Sequence, residues 1–296
     1  MKYDLRGIKT DDYFSFSRYT TYGLGGAAKA AYLPSTMEEV ITVYDFVKQN
    51  FGNFVVLGNG SDVLASDNGF NGAVICTKLL SGITREGNKL ICLGGTQAKV
   101  LLSYCTENGL SGLEYLAGIP ASVGGLAYMN GGVNGRHVGD DIVEVGFYDG
   151  KTHYFSRAEC NFSNKHSTMR DINGIIFSVT LEITPSDSQT VKRNIESFLN
   201  FRKAQPKGKS CGCVFKNPEG SVAGAGKLID EAGLKGLRVG GAEVSREHAN
   251  FIINRGGSAA DVRELIKAVK KRVKEFSGVD LEEEVVYIGE FYDSDS

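Results

Sequence analysis

The chain has 296 residues, 42% hydrophobic and 23% charged, with a formal net charge of -2 at pH 7. These proportions suit a globular protein with a substantial core in two or three subdomains, and the near-neutral balance excludes global attraction to nucleic acid or anionic membrane. The apolar runs fall short of the roughly 18 residues of a membrane span, and Met1-Lys2-Tyr3-Asp4-Leu5-Arg6 lacks the apolar core of a secretion signal.

In chain order, the first glycine cluster is Tyr22-Gly23-Leu24-Gly25-Gly26. A helix follows, with Ser35 and Thr36 as caps, Glu38 and Glu39 in its first turn, and Val40, Val43, Tyr44 and Val47 on one face. The β-type run 54–57 enters a second cluster, Gly58-Asn59-Gly60-Ser61-Asp62. Strand-like pieces recur at 73–76 and 90–93, then a helix at 97–107. The densest glycine region spans 109–139. Segments 142–148 and 152–155 form a hairpin around Asp149-Gly150, a favoured tight-turn pair. A strand at 174–183 ends at a linker, 185–188, where the main domain boundary is placed. Beyond it come a helix at 189–203, a short helix at 223–232 and a strand at 249–254. Ser258 caps a long helix with Val262, Leu265, Ile266, Val269, Val273 and Phe276 inward. Its lysine-rich outer face reads as solvated rather than as a nucleic-acid patch. A final strand spans 284–289, and the tail 293–296 reads as disordered. The alternation gives an α+β or α/β chain.

Six cysteines without a C-x-x-C pair and four scattered histidines give no zinc site and no disulfide framework. A reduced, cytoplasmic setting is expected, with no metal. The unusual number is 38 glycines, against roughly 21 at average usage. Glycine lets backbone amides approach a ligand and adopt positive φ, and successive amides in such turns make a nest for pyrophosphate. The 58–62 loop follows a strand, the context for such a nest. It is not a dinucleotide fingerprint, because Val63 stands at the third glycine position of G-x-G-x-x-G, and it lacks the ending of a P-loop. Each cluster alone reads more readily as a structural turn. Taken with Gly118-Ile119-Pro120-Ala121-Ser122-Val123-Gly124-Gly125, they favour a dinucleotide site. Downstream, Gly212-Cys213-Val214-Phe215-Lys216-Asn217-Pro218 crowds a thiol, an ammonium and an amide into a loop that continues through Glu219-Gly220. It is either a site or a turn around an inert cysteine.

These motifs, in this order, resemble the family of UDP-N-acetylenolpyruvoylglucosamine reductases, also called UDP-N-acetylmuramate dehydrogenases. The matching runs include 21–27, 57–64, Gly112-Leu113-Glu114-Tyr115-Leu116-Ala117-Gly118-Ile119-Pro120, Met129-Asn130-Gly131-Gly132 with Gly135, and 212–218. Further runs are 225–230, 233–236, His248-Ala249-Asn250-Phe251-Ile252-Ile253-Asn254 and Leu281-Glu282-Glu283-Glu284-Val285. The likeness covers about residues 16–290 and the shorter form of the family. It implies an α+β fold with a two-part FAD-binding domain of vanillyl-alcohol-oxidase type, 1–75 and 76–186. A smaller α/β substrate-binding domain, 187–296, follows. FAD is the implied cofactor and NADPH the co-substrate. FAD would be held by Tyr22, Gly23, Gly25, Gly58, Asn59, Gly60, Ser61, Asp62, Gly112, Glu114, Gly118, Ile119, Pro120, Gly124, Gly125, Asn130 and Gly135.

The implied reaction reduces the enolpyruvyl double bond of a UDP-sugar in peptidoglycan precursor synthesis, in a monomer with no nucleic-acid or membrane partner. Adding hydride beside a carboxylate creates enolate charge, so the site needs cationic or hydrogen-bonding stabilisers and a proton donor. The resemblance assigns Glu284 to the family glutamate, Cys213 to the position of the proton-donating serine, and Lys165 to the position of an arginine. A thiol ionises near 8.5, closer to neutrality than a hydroxyl, so it can donate a proton. In Asn164-Lys165-His166-Ser167 the lysine keeps the charge but lacks the planar fork of arginine, and Arg170 lies nearby. Lys216, Asn217 and His248 fall at positions that contact the UDP-sugar; Lys216 suits phosphate and Asn217 an amide or hydroxyl partner. Two rivals remain at this point: a catalytically silent paralogue that senses flavin or UDP-sugar, and a flavin oxidase of the same fold.

Overall fold

The computed structural model describes Leu5, residues 7–218 and residues 223–291; Glu219, Gly220 and the tail 293–296 lie outside the described residues. The chain forms two compact units. Unit 1 comprises Met1–Asp12, Ala30–Asn59 and Gly72–Lys203, and unit 2 comprises Tyr13–Lys29, Gly60–Asn71 and Ala204–Ser296.

In unit 1 the first sheet runs in the order Lys9–Thr10, Ala28–Leu33, Phe70–Cys76, Phe54–Leu57. The last two strands are parallel, with Leu57 opposite Cys76. The helix Met37–Asn50 links Ala28–Leu33 to Phe54–Leu57 and begins where expected: Thr36 accepts the Glu39 amide at 3.2 Å, satisfying an N-terminal donor. Its Val40, Val43, Tyr44 and Val47 are buried with Tyr32, Ala73, Ile75 and Leu80. The second sheet is antiparallel, ordered Thr152–Ser156, Ile142–Tyr148, Ile175–Glu182, Lys89–Leu93, Ile83–Glu86. Its last strand, Ile83–Glu86, was not anticipated, because only Ile83 of its four residues is apolar and the other three are exposed. Helices Ala98–Glu107 and Val123–Met129 contribute Leu101, Leu102, Val123 and Leu126 to its core. The helix Ser188–Arg202, capped by Asp187, packs on Ala98–Glu107, so the compact unit runs on to Lys203.

Unit 2 is built around the three-stranded antiparallel sheet Arg238–Val239, Ala242–Val244, Ile252–Asn254. The helix Ala259–Ser277 packs against it. Ser258 accepts the Asp261 amide and Asp261 accepts the Ser258 amide, a closed capping box. Val262, Leu265, Ile266, Val269 and Val273 are buried, each contributing roughly 1.5–3 kcal/mol relative to exposure. Phe276 departs from the expectation and is 58% exposed. It sits in the last turn before Gly278, past the last buried position, so period alone did not bring it to the core. Strands Val63–Ala65 and Val286–Ile288 pair in parallel, with Val63 opposite Val286.

Candidate functional site

The Gly212–Asn217 run folds as a short extended segment inserted between two others in unit 2. Gly212 turns the chain at φ +82°, a conformation that favours glycine. Cys213 then forms a bridge with Phe251, and Phe215 forms one with Glu283. The Val214 amide donates to the Asn250 carbonyl at 2.9 Å, and the Val214 carbonyl accepts the Glu284 amide at 2.8 Å. The Lys216 amide donates to the Glu282 carbonyl at 2.9 Å. Val214 and Phe215 are buried, which anchors the segment, while Cys213 and Lys216 are half-buried. Cys213 is the one cysteine of the six that is not buried. Glu284 is 8% exposed and stands on the rung beside Val214, so Cys213 and Glu284 come from adjoining strands.

Cys211, two residues before Cys213, is buried. Burial pushes its thiol well up; the neighbouring Tyr22 hydroxyl opposes this, and the charges of Asp62 and Glu284 and the Cys213 thiol add to it. Asp62, Glu284, Cys213 and Tyr22 therefore all act electrostatically on one buried sulfur. Asp62 is brought there by the parallel strand pair, since its carbonyl accepts the Val286 amide at 2.8 Å. The glycine cluster at 22–26 joins the same neighbourhood: the Thr21 amide donates to the Gly60 carbonyl at 3.0 Å, and the Thr21 hydroxyl donates to the Ser61 carbonyl at 3.3 Å. At Gly60, φ is +65° and a Cβ would fall 2.4 Å from the Tyr19 carbonyl oxygen, so only glycine closes this loop.

The residues expected at the sugar nucleotide also lie in unit 2. Lys216 Nζ pairs with Glu282 at 2.5 Å. Asn217 Oδ1 accepts the Ala225 amide at 3.0 Å, at the start of the helix Ala225–Glu231. His248 stacks edge-on against Phe251, with ring centroids 5.0 Å apart. Burial, aided by the charge of Lys235, holds His248 below the ordinary histidine range. Its Nδ1 lies 3.3 Å from the Asn250 amide, which makes it the acceptor; the neutral ring then carries its proton on Nε2, as a donor.

The remaining expected residues lie in unit 1. Asn59 Nδ2 donates to the Pro120 carbonyl at 2.5 Å. A Cβ on Gly58 would lie 2.5 Å from Ser122 Oγ, and one on Gly124 would lie 2.7 Å from the Gly94 carbonyl oxygen. These glycines permit close packing of loop 58–59 and of the helix Val123–Met129, whose cap is Ser122. Gly118 takes φ +76° between Leu116, whose carbonyl accepts the Ile119 amide, and Pro120. Glu114 is 5% exposed, and its carboxylate accepts from Ser111 Oγ, the Gly112 amide and Asn194 Nδ2. Burial opposes ionisation there, but those hydrogen bonds prevail and hold the carboxyl below its ordinary value. Asn130 closes its helix at φ +45°, donating to the Ser163 carbonyl at 2.9 Å and accepting the Gly139 amide at 3.0 Å.

A cavity of about 710 Å³ opens here, with Asn130, His137, Arg157, Ser163 and Asn164 among its lining. Lys165 follows Asn164 in a tight turn at φ +56°. Arg170 donates to the Lys165 carbonyl, and its guanidinium lies 5.7 Å from the centre of the Tyr128 ring. Ser167, fully buried, donates to the Tyr128 carbonyl at 2.8 Å. Arg136 escaped notice in the sequence. It donates to the Gly112 carbonyl at 2.7 Å, pairs with Asp141 at 3.0 Å and covers the Tyr115 ring at 4.5 Å.

Among the described residues no three His, Cys, Asp or Glu side chains gather to hold a metal ion, and no helix is long and apolar enough to cross a membrane. The glycine loops fit a flavin dinucleotide. Their positive-φ turns leave no room for a side chain at Gly60, whereas at Gly135 a Cβ would meet nothing within 4 Å, leaving the backbone open to approach.

Residues 28–154 match a family model described as an FAD binding domain, and residues 204–288 match one described as the C-terminal domain of UDP-N-acetylenolpyruvoylglucosamine reductase. The reductase of that name from Moorella thermoacetica is 42% identical over 279 residues, 93% of this chain and 91% of that protein. The chain belongs to the UDP-N-acetylenolpyruvoylglucosamine reductase family. The Bacillus subtilis member is 36% identical, over 92% of either chain. The crystal structure of the Thermus caldophilus reductase superposes with a TM-score of 0.81 at 36% identity, covering 95% of this chain and 99% of that one. The expected α+β class therefore holds, with an FAD-binding part ahead of the family's C-terminal domain.

Proposed function

We propose that this chain is an FAD-dependent oxidoreductase that uses NADPH to reduce the enolpyruvyl group of UDP-N-acetylenolpyruvoylglucosamine to UDP-N-acetylmuramate, for peptidoglycan synthesis, with Cys213 as the proton donor. The carrying observation is the pinned segment in unit 2, which holds a half-buried thiol one residue before Val214, whose carbonyl accepts the amide of the buried Glu284. FAD, when bound, supplies the hydride that NADPH brings.

The residues do the rest. The Cys213 thiol holds the proton destined for the carbon next to the one that receives hydride, so the enolate is quenched as it forms. Glu284, walled off from water, orients that transfer, and in a site of low polarity its interactions with developing charge are strengthened. Lys165 offers the positive charge for the substrate carboxylate, as a point charge rather than a fork. Lys216 takes a phosphate of the UDP group, Asn217 a neighbouring polar group, and His248 donates from Nε2. The residues proposed to hold FAD are Tyr22, Gly23, Gly25, Gly58, Asn59, Gly60, Ser61, Asp62, Gly112, Glu114, Gly118, Ile119, Pro120, Gly124, Gly125, Asn130 and Gly135. In functional terms we divide the chain into FAD-binding segments 1–75 and 76–186 and a substrate-binding segment 187–296. We place it in the cytoplasm as a monomer.

The test is an absorption spectrum of the purified protein. Flavin bands must bleach on adding NADPH and return on adding the enolpyruvyl UDP-sugar. A colourless protein that consumes no NADPH with that substrate would refute the proposal. Bleaching without substrate-dependent recovery would instead support the silent sensor.

A further inference from the structure

We propose that Asn250 is a positioning residue for the proton-donating thiol, acting through the main chain of residues 213–216; the proposal rests on the role of Cys213 above. Asn250 is 3% exposed, and both polar ends of its side chain engage one residue. Nδ2 donates to the Phe215 carbonyl at 2.8 Å, and Oδ1 accepts the Phe215 amide at 2.9 Å. Its own carbonyl accepts the Val214 amide, and its own amide donates to His248 Nδ1.

The carboxamide thus imitates a peptide group and supplies the rung of a ladder on the side of the segment away from residues 282–284. The bridge of Cys213 to Phe251 comes just before that rung, and Lys216 comes just after it. A slip of Phe215 would shift the thiol, the lysine and, through the Asn250 amide, the His248 ring together. Among side chains of this length only a carboxamide presents a fixed donor and acceptor at this spacing. A buried peptide group left without them would be costly, so the segment has one register.

The decisive variant is Asn250→Asp, which keeps the shape. As a carboxylate it accepts the Phe215 amide but repels the Phe215 carbonyl; as a carboxylic acid it does both jobs. Stopped-flow reoxidation of the NADPH-reduced enzyme by the UDP-sugar should then be roughly 10–100-fold slower than wild type near neutrality, the usual penalty of a misplacement of about 1 Å. Burial raises a carboxyl pKa, so the deficit should shrink as pH falls from about 8 to about 6. The titratable neighbours His248, Cys213, Glu283 and Glu284 are common to both proteins, so the variant-to-wild-type ratio at each pH cancels them.

A ratio near one throughout, or a deficit that ignores pH, overturns the proposal. Wild-type enzyme that is not reoxidised by substrate would refute the function instead, which keeps the two failures apart. Should the variant fail to fold, hydrogen exchange in the wild type decides. Protection of the Val214 and Phe215 amides to the level of Val244 and Ile252 supports the clamp, and exchange at the rate of exposed loops overturns it.

Discussion

Replacing Cys213 by alanine separates the chemistry at this position from its architecture. The interactions that order the segment are made by the main chain of Val214 and Lys216 and by the Phe215 peptide group. Alanine preserves all of them and removes only a half-buried sulfur. The expected loss of stability is therefore on the order of 1 kcal/mol or less. The kinetic effect should be far larger and confined to one half-reaction. A positioned general acid contributes typically 10²–10⁴-fold, which at about 1.36 kcal/mol per decade is roughly 3–5 kcal/mol of barrier. In a stopped-flow instrument, flavin reduction by NADPH should keep its wild-type rate, while reoxidation by the enolpyruvyl substrate should slow by that factor. Cys213→Ser, which retains a proton on the same atom position, should recover much of the loss. Equal slowing of both half-reactions, or a reoxidation deficit below about tenfold, would refute the assignment of the thiol as proton donor.

Glu282→Gln should tighten substrate binding. It removes the carboxylate paired with Lys216, and because Glu282 is 72% exposed the pair is a weak one; release of about 0.2–1 kcal/mol gives roughly a one- to fivefold lower Kd at low salt, vanishing at high ionic strength. Titration by calorimetry checks this, and weaker binding would sink it. Glu114→Gln should lower the melting temperature at neutral pH, since the Ser111, Gly112 and Asn194 donors lose a charged acceptor, at about 1–3 kcal/mol. The folded carboxyl titrates below its unfolded value, so its contribution is present above about pH 4.3 and disappears as pH falls through the folded value. The variant's melting curve should accordingly depend less on pH below that point, and identical acid profiles for the two proteins would contradict the linkage.

Local signals in the chain located most elements. The helix Met37–Asn50 was legible because a cap, an acidic first turn and a 3.6-residue period agree, and the helix Ala259–Ser277 for the same reason. The glycine loops were legible as backbone approaches because few residues other than glycine tolerate their dihedrals. What escaped was long-range pairing. Nothing local in Val63-Leu64-Ala65 announces a partner at Val286–Ile288, and nothing in Phe54–Leu57 tells that the loop after it passes from one compact unit to the other at Gly60. Asn250 was visible in its motif, but its clamp on Phe215 depends on a register that only tertiary packing sets. Arg136 has no distinguishing neighbour in sequence; its partners Gly112 and Tyr115 come from one upstream run and Asp141 from just downstream.

The parallel pairing of Val63–Ala65 with Val286–Ile288 also orders events in time. As the ribosome extends the chain, residues 60–71 must wait until residues 286–288 are made for the strand that will pair with them. Glu284 arrives with that same late strand, two residues ahead of it, and carries the amide that completes the Val214 rung. Unit 1 has all its residues by Lys203 and is free to form first. A nascent chain stalled anywhere before residue 284 would thus lack both a finished unit 2 and the buried glutamate, so the proposed chemistry would appear only once that strand is made rather than grow with the chain.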